Sequence, residues 1–185
     1  MRAFIALPVA ADIQRLLGEG CRKLADAGGT GMRWVAPAQI HLTLKFLGDI
    51  DDAAAPAVSE RLSAVAGRFS PWSARLHGLG AFPNPSSPRV VWAGIDDDGR
   101  SAAVQAEVED ALARIAIARE SRPFAPHLTL GRRRPGGAFR RETLREISIE
   151  PAEFTIDRLV LFQSTLTPSG AVHREVSVHM LVARA

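Results

Sequence analysis

Tyrosine is absent from this 185-residue chain, and cysteine occurs once. A single thiol cannot close an internal disulfide, so no disulfide framework holds the fold. Cys21 lies instead in IQRLLGEGCRKL, where Ile13, Leu16, Leu17, Cys21 and Leu24 mark one face of a helix, and core packing is its expected job. Long hydrophobic runs are also missing. The apolar stretches are too short to cross a bilayer, and the opening MRAFIALPVAADIQ is too briefly hydrophobic to read as a secretory signal. A cytoplasmic protein with no membrane attachment is therefore expected. Metal-ligand spacing is lacking as well: there is no His-x-x-x-His and no cysteine pair.

What is present fits one globular unit. Hydrophobic residues make up 46% of the chain and charged residues 23%, a balance that excludes disordered and fibrous classes. Net charge is +3 with a pI near 9.9, a modest bias toward polyanionic partners. The excess is uneven, with eight arginines between Arg119 and Arg145, including the runs GRRRPGG and FRR. Such a cluster reads either as a solvated face or as a phosphate-attracting rim.

Periodicity predicts strands at 2–9, 32–35, 40–48, 74–82, 89–96 and 127–132, and two closing strands at 153–166 and 172–181. Helices are predicted at 11–27, 51–68, 99–118 and 140–147, with Pro56 near the first turn of the second. PNPSSP and RRPGGA are turn-rich connectors too short to be interdomain linkers. Residues 1–185 thus form a single two-lobed α+β domain in which two antiparallel-rich sheets face each other with helices outside.

The tetrapeptide HLTL occurs twice, at 41–44 and at 127–130. Leu-Thr-Leu is ordinary strand vocabulary, so the repeated histidine is what needs a cause. Strand alternation puts His41 and Thr43 on one face with Leu42, Leu44 and Phe46 on the other, and His127 and Thr129 opposite Leu128 and Leu130. Two such strands facing across a cleft supply two imidazoles and two hydroxyls. An imidazole titrating near pH 6.5 both accepts and donates protons at physiological pH, so a pair suits in-line displacement at phosphorus. Hydroxyls and an arginine can hold the charge on the non-bridging oxygens, and no metal or other cofactor is required.

Two His-x-Thr-x motifs split between halves of a chain this size resemble the two-histidine phosphoesterase superfamily. The bacterial and archaeal RNA 2',3'-cyclic phosphodiesterase branch, long called 2'-5' RNA ligases, is the nearest likeness. RWVAPAQIHLTLKFLGD, RVVWAGI, RPFAPHLTLGR and LVLFQSTLTPSGAVH resemble it in order and spacing almost end to end. The resemblance implies a bilobal fold with pseudo-twofold symmetry and both motifs in a central cleft. It also implies hydrolysis of RNA 2',3'-cyclic phosphate ends to 2'-phosphates; a monomer is expected. In some members it implies reversible, ATP-independent joining of tRNA halves through a 2',5' bond. Carried over by position, His41 with Thr43 matches the first motif and His127 with Thr129 the second. His41 is then the acid for the departing O3' and His127 the base for water.

Arg132 matches the phosphate-binding arginine of the family, yet strand parity puts it opposite His127 and favours Arg133; a bulge or strand end at Gly131 would resolve the conflict. Lys45 has the parity of His41 and reads equally as a cleft or a rim residue. Phe124 is read as packing beneath its strand, Trp34 and Trp92 as core, Ser164 as a cleft hydrogen-bonding group, and His77 and His179 as structural. Where the family commonly carries tyrosine after a Pro-x-Gly turn, this chain has His173, so no phenol serves the site. Two rivals share much of this pattern: a phosphodiesterase for a small cyclic nucleotide, and a non-catalytic RNA-binding module.

Overall fold

The computed structural model describes residues 1–140, 142–167 and 170–182. Arg141, within the expected helix 140–147, and Pro168 and Ser169 of the Pro-Ser-Gly turn lie outside these. In chain order the elements are β1 (Arg2–Pro8), α1 (Ala11–Asp26), β2 (Met32–Trp34), β3 (His41–Asp49) and α2 (Ala55–Ala66). Then come β4 (Trp72–Phe82), β5 (Val90–Asp96), α3 (Arg100–Ala113), β6 (His127–Arg133) and α4 (Thr143–Glu146), followed by β7 (Glu153–Ile156), β8 (Arg158–Thr167) and β9 (Gly170–Met180).

All strand pairings among the described residues are antiparallel, in the order β7-β4-β5-β6-β3-β1-β8-β9, with β2 added to β6. The two expected sheets are therefore halves, β3-β1-β8-β9 and β6-β5-β4-β7. A single register pair, Leu42 with Leu128, joins them. Leu42 and Leu128 hold the same place in the two HLTL copies, so the pseudo-twofold axis passes between them. One residue, Asp157, links β7 at one end of this order to β8 near the other, which requires the sheet to curl until its two ends meet. Leu181 N donates to Asp157 O at 2.8 Å and seals that closure.

The helices cover one face of the curled sheet. Ile13, Leu17, Cys21 and Leu24 of α1 are buried, as are Val58 and Leu62 of α2 and Val104, Val108 and Leu112 of α3. They meet Ile5, Leu7, Leu42, Leu44, Val91, Leu128, Leu130 and Leu161 in one continuous core. Truncating a fully buried leucine such as Leu42 or Leu128 would cost about 2–5 kcal/mol. Cys21 packs as expected: its Sγ lies 3.7 Å from Leu130 O, and burial pushes the thiol up to about 12, where no thiolate forms at neutral pH.

Three boundaries differ from the sequence reading. The stretch 153–166 is two strands on opposite halves, because Phe154 and Ile156 pack beside β4 while Leu159 and Leu161 enter the other half beneath β1. α3 ends at Ala113 rather than 118, since Ala116 takes a φ of 62° and Ile115 and Ile117 reach the core from a turn. The expected helix 140–147 contributes a single turn, α4.

Candidate active site

The uncovered face of the joining strands carries both histidines. An offset of 86 residues, 127 minus 41, relates their surroundings. The Nδ1 of His127 lies 2.7 Å from Ala125 O, and the His41 ring bonds to the backbone of Gln39, the residue at the equivalent place. A carbonyl only accepts, so Nδ1 of His127 carries the hydrogen and its Nε2 is left for the cleft. The Thr43 and Thr129 hydroxyls have no hydrogen-bond partner among the described residues, and both side chains are half-buried on the histidine face.

Aromatic rings back each imidazole. Phe4 stacks on His41 with centroids 4.8 Å apart and Phe162 lies at 5.9 Å, while Phe82 meets His127 edge-on at 5.0 Å and Trp92 at 6.3 Å. Phe4 and Trp92 stand on the strands next to the motif strands, Phe162 and Phe82 one strand further out, so the cages repeat the pseudo-symmetry. Sequence reasoning missed Phe4, Phe82 and Phe162 and placed Trp92 in the core. The signal was faint, because β1 is apolar on both faces and alternation is invisible there. One ring breaks the symmetry: His173 on β9 lies edge-on to His41 at 5.4 Å and to Phe4 at 4.8 Å, and its Nδ1 is buried without a partner. Ser164 pairs across the hairpin with His173 and shares its face.

Paired bulges then decide which cations reach the cleft. Along β6, Val91 pairs with Gly131 but Trp92 with Thr129, so Leu130 is the extra residue; along β3, Ile5 pairs with Lys45 but Ala6 with Thr43, so Leu44 is. Each bulge reverses the alternation beyond it. Arg132 therefore shares the face of His127, and Arg133 takes the opposite face alongside buried Met32. Gly131 is required at this bulge, since a Cβ there would lie 2.7 Å from the Trp34 ring.

In β3 the same shift corrects two expectations. Phe46, expected on the greasy face, emerges on the cleft side with 59% of its surface exposed and its ring 6.0 Å from Phe4. Lys45 is neither a cleft nor a rim residue but is buried, with Nζ 2.8 Å from Glu109 Oε2 and 2.8 Å from Ala118 O. Phe124 packs against the core. His179 lies on the helix side, its Nε2 3.0 Å from Ser177 Oγ, and His77 is exposed.

Electrostatics follow from this geometry. Burial first, then the neighbouring charge of His173, push the His41 pKa down to about 4; the Gln39 bond pulls it up, and Arg132 adds a smaller downward push. His127 is lowered by burial and by Arg132, and its bond to Ala125 opposes this. Burial lowers His173 too. One guanidinium thus lies close enough to act on both histidines, in keeping with its place on their face. Among the described residues no three His, Cys, Asp or Glu side chains gather into a metal-binding cluster. An apolar recess of about 590 Å³ lies elsewhere, between α1 and residues 34–38, and neither the histidines nor Arg132 line it.

Comparison with known proteins finds relatives along nearly the whole chain. The RNA 2',3'-cyclic phosphodiesterase of Archaeoglobus fulgidus is 34% identical over 179 residues, covering 96% of this chain and 99% of that protein. The one from Thermotoga maritima is 32% identical, covering 94% of this chain and 92% of that protein. Among solved structures, a Thermus thermophilus protein superposes with a TM-score of 0.82 at 27% identity, and E. coli LigT complexed with 3'-AMP with 0.75 at 25%; each covers 98% of both chains. The 2'-5' RNA ligase superfamily profile matches residues 8–167, and the chain belongs to that superfamily.

Proposed function

We propose that this protein hydrolyses 2',3'-cyclic phosphate ends of RNA to 2'-phosphates, using His41 and His127 as an acid-base pair and no metal or nucleotide cofactor. The observation carrying this reading is the symmetric pair itself: two imidazoles on joined strands, each with a ring nitrogen held by backbone two residues upstream, and Arg132 acting on both. The substrate class is supported by the relatives in Archaeoglobus and Thermotoga, which carry that activity in their names.

In the forward reaction water attacks phosphorus, its proton passes to Nε2 of neutral His127, and the P–O3' bond breaks as charged His41 gives its proton to O3'. Thr43 and Thr129 donate hydrogen bonds to the non-bridging oxygens, and Arg132 neutralises their charge. A ribose 5'-hydroxyl replacing water gives a 2',5' bond by the same transfers with no ATP consumed, and tRNA halves bearing cyclic ends are the partners this implies. A monomer working in the cytoplasm is the proposed setting. The exposed arginines and the two complete motifs favour this reading over a small-nucleotide enzyme and over a non-catalytic RNA-binding module.

The test is an oligoribonucleotide with a 2',3'-cyclic end, incubated with EDTA present. The expected product gains one water and carries its phosphate on O2'. A 3'-phosphate product, or no conversion, refutes the reading.

A further inference from the structure

The arginine-rich stretch of the sequence divides in the fold, with Arg132, Arg133, Arg134 and Arg145 exposed and outside any ion pair among the described residues. Arg119 pairs with Asp110 at 2.6 Å, Arg122 with Glu120 at 2.9 Å, and Arg140 with Glu146, so these cations are spoken for by carboxylates. Arg132 is not, and the residue beside it comes from a distant part of the chain. Strand β2 adds to the edge of β6 that also meets β3 and puts Arg33 directly across from Arg132. Both are exposed, and neither has an ion pair or side-chain hydrogen bond among the described residues.

Their shared face is fixed by their neighbours. Met32 and Trp34 flank Arg33, and Met32 is buried toward the helices, so Arg33 projects the other way, with Arg132 and the histidines. The backbone there is held at both ends, by Val35 N donating to Leu130 O at 2.8 Å and by Arg134 N donating to Gly31 O at 3.0 Å. Directly opposed residues on antiparallel strands have Cα atoms about 4.5–5.5 Å apart, and like charges there are destabilising. An uncompensated arginine pair on the histidine face breaks the local rule, and an anion is the group that would compensate it.

In the phosphodiesterase reading Arg132 serves the reacting phosphate, and Arg33 stands across the strand pair from it, on the edge of β6 that also takes β3. We propose that Arg33 binds the internucleotide phosphate next to the cyclic end, so that the site prefers an RNA chain over a cyclic mononucleotide. This rests on the phosphodiesterase reading above and extends it to the polymer. A mononucleotide has no second phosphate to offer, whereas a chain entering past β2 lays one beside Arg33.

The experiment compares kcat/KM for a cyclic-ended oligoribonucleotide with that for 2',3'-cyclic AMP, in wild type, Arg33→Gln, Arg33→Lys and Arg133→Gln. Arg133 supplies the same charge change on the opposite face. For Arg33→Gln the oligonucleotide-to-mononucleotide ratio falls about tenfold, the scale of one charge-assisted contact. The logarithmic salt dependence of oligonucleotide KM becomes shallower by about 0.7, the value for one single-strand phosphate contact. Arg33→Lys recovers the salt slope but only part of the ratio, because an ammonium lacks the planar fork. Arg133→Gln keeps the wild-type ratio. A ratio unchanged in Arg33→Gln, or lowered equally in Arg133→Gln, overturns the proposal while leaving the phosphodiesterase reading intact. If wild type turns over neither substrate that reading fails, and fluorescence anisotropy of the labelled oligonucleotide decides the surface: weaker binding by Arg33→Gln than by Arg133→Gln supports it, and equal binding overturns it.

Discussion

Adding sulfate to the free protein at pH 6.5 should drive proton uptake, and most of that proton should go to His41. With its pKa held down to about 4 by burial, His173 and Arg132, roughly one His41 ring in 300 is charged at pH 6.5. An anion at about 4 Å in a partly enclosed site contributes about 4 kcal/mol at an effective dielectric of 20, or about three pKa units. The bound-state value then comes near 7, and about three-quarters of the rings are charged. The sign follows directly. An anion favours the charged imidazole, so uptake occurs between the free value of about 4 and the raised bound value, and sulfate affinity falls as pH rises through the latter. Sulfate does not itself titrate in this range, so calorimetry in buffers of different ionisation enthalpy reads the protons directly. His127 and His173 also gain, so the informative quantity is the part lost in His41→Ala, expected at roughly half a proton or more. Uptake that is unchanged in His41→Ala would refute the reasoning. It would mean that His41 does not face the anion or is already charged.

Three further outcomes follow from the same structure. Lys45→Ala leaves Glu109 buried without its cation and should destabilise the fold by about 3–5 kcal/mol, while Lys45→Met with Glu109→Leu recovers most of the loss, both read by denaturant titration; a silent Lys45→Ala would mean the pair is solvated. His173→Phe keeps the ring packing against Phe4 but removes the neighbouring charge, so the His41 pKa measured by NMR should rise, and a fall would contradict the electrostatic account. Turnover of a cyclic-ended oligonucleotide should survive EDTA, and loss restored by a divalent metal would remove the two-imidazole scheme.

Much of the site was legible because a strand has period two. His41 with Thr43, and His127 with Thr129, needed only alternation to share a face, and the duplicated tetrapeptide announced the symmetry. The paired bulges were not legible on the same terms. A bulge depends on what the neighbouring strand does, and only Gly131 gave a local hint of one; Leu44 gave none, so Lys45 and Phe46 were assigned to the wrong sides. The aromatic cages were hidden because β1 and β5 are apolar on both faces. Residues 153–166 read as one strand because nothing in Ile156-Asp157-Arg158 marks the point where the chain leaves one half of the sheet for the other. Arg33 escaped notice because a cross-strand partner nearly a hundred positions away gives it its meaning.

The central claim is that two histidines divide one proton transfer between them, and pH-rate profiles of single mutants test it most directly. Hydrolysis by the wild type should trace a bell, its acidic limb reporting protonation of the base and its alkaline limb deprotonation of the acid. His41→Ala and His127→Ala should each lower the rate by roughly 100-fold or more while remaining folded. Whatever activity remains should lose the alkaline limb in His41→Ala and the acidic limb in His127→Ala. Interchanged limbs would reverse the two roles, and a folded mutant of either histidine with near-normal turnover and an intact bell would contradict the mechanism.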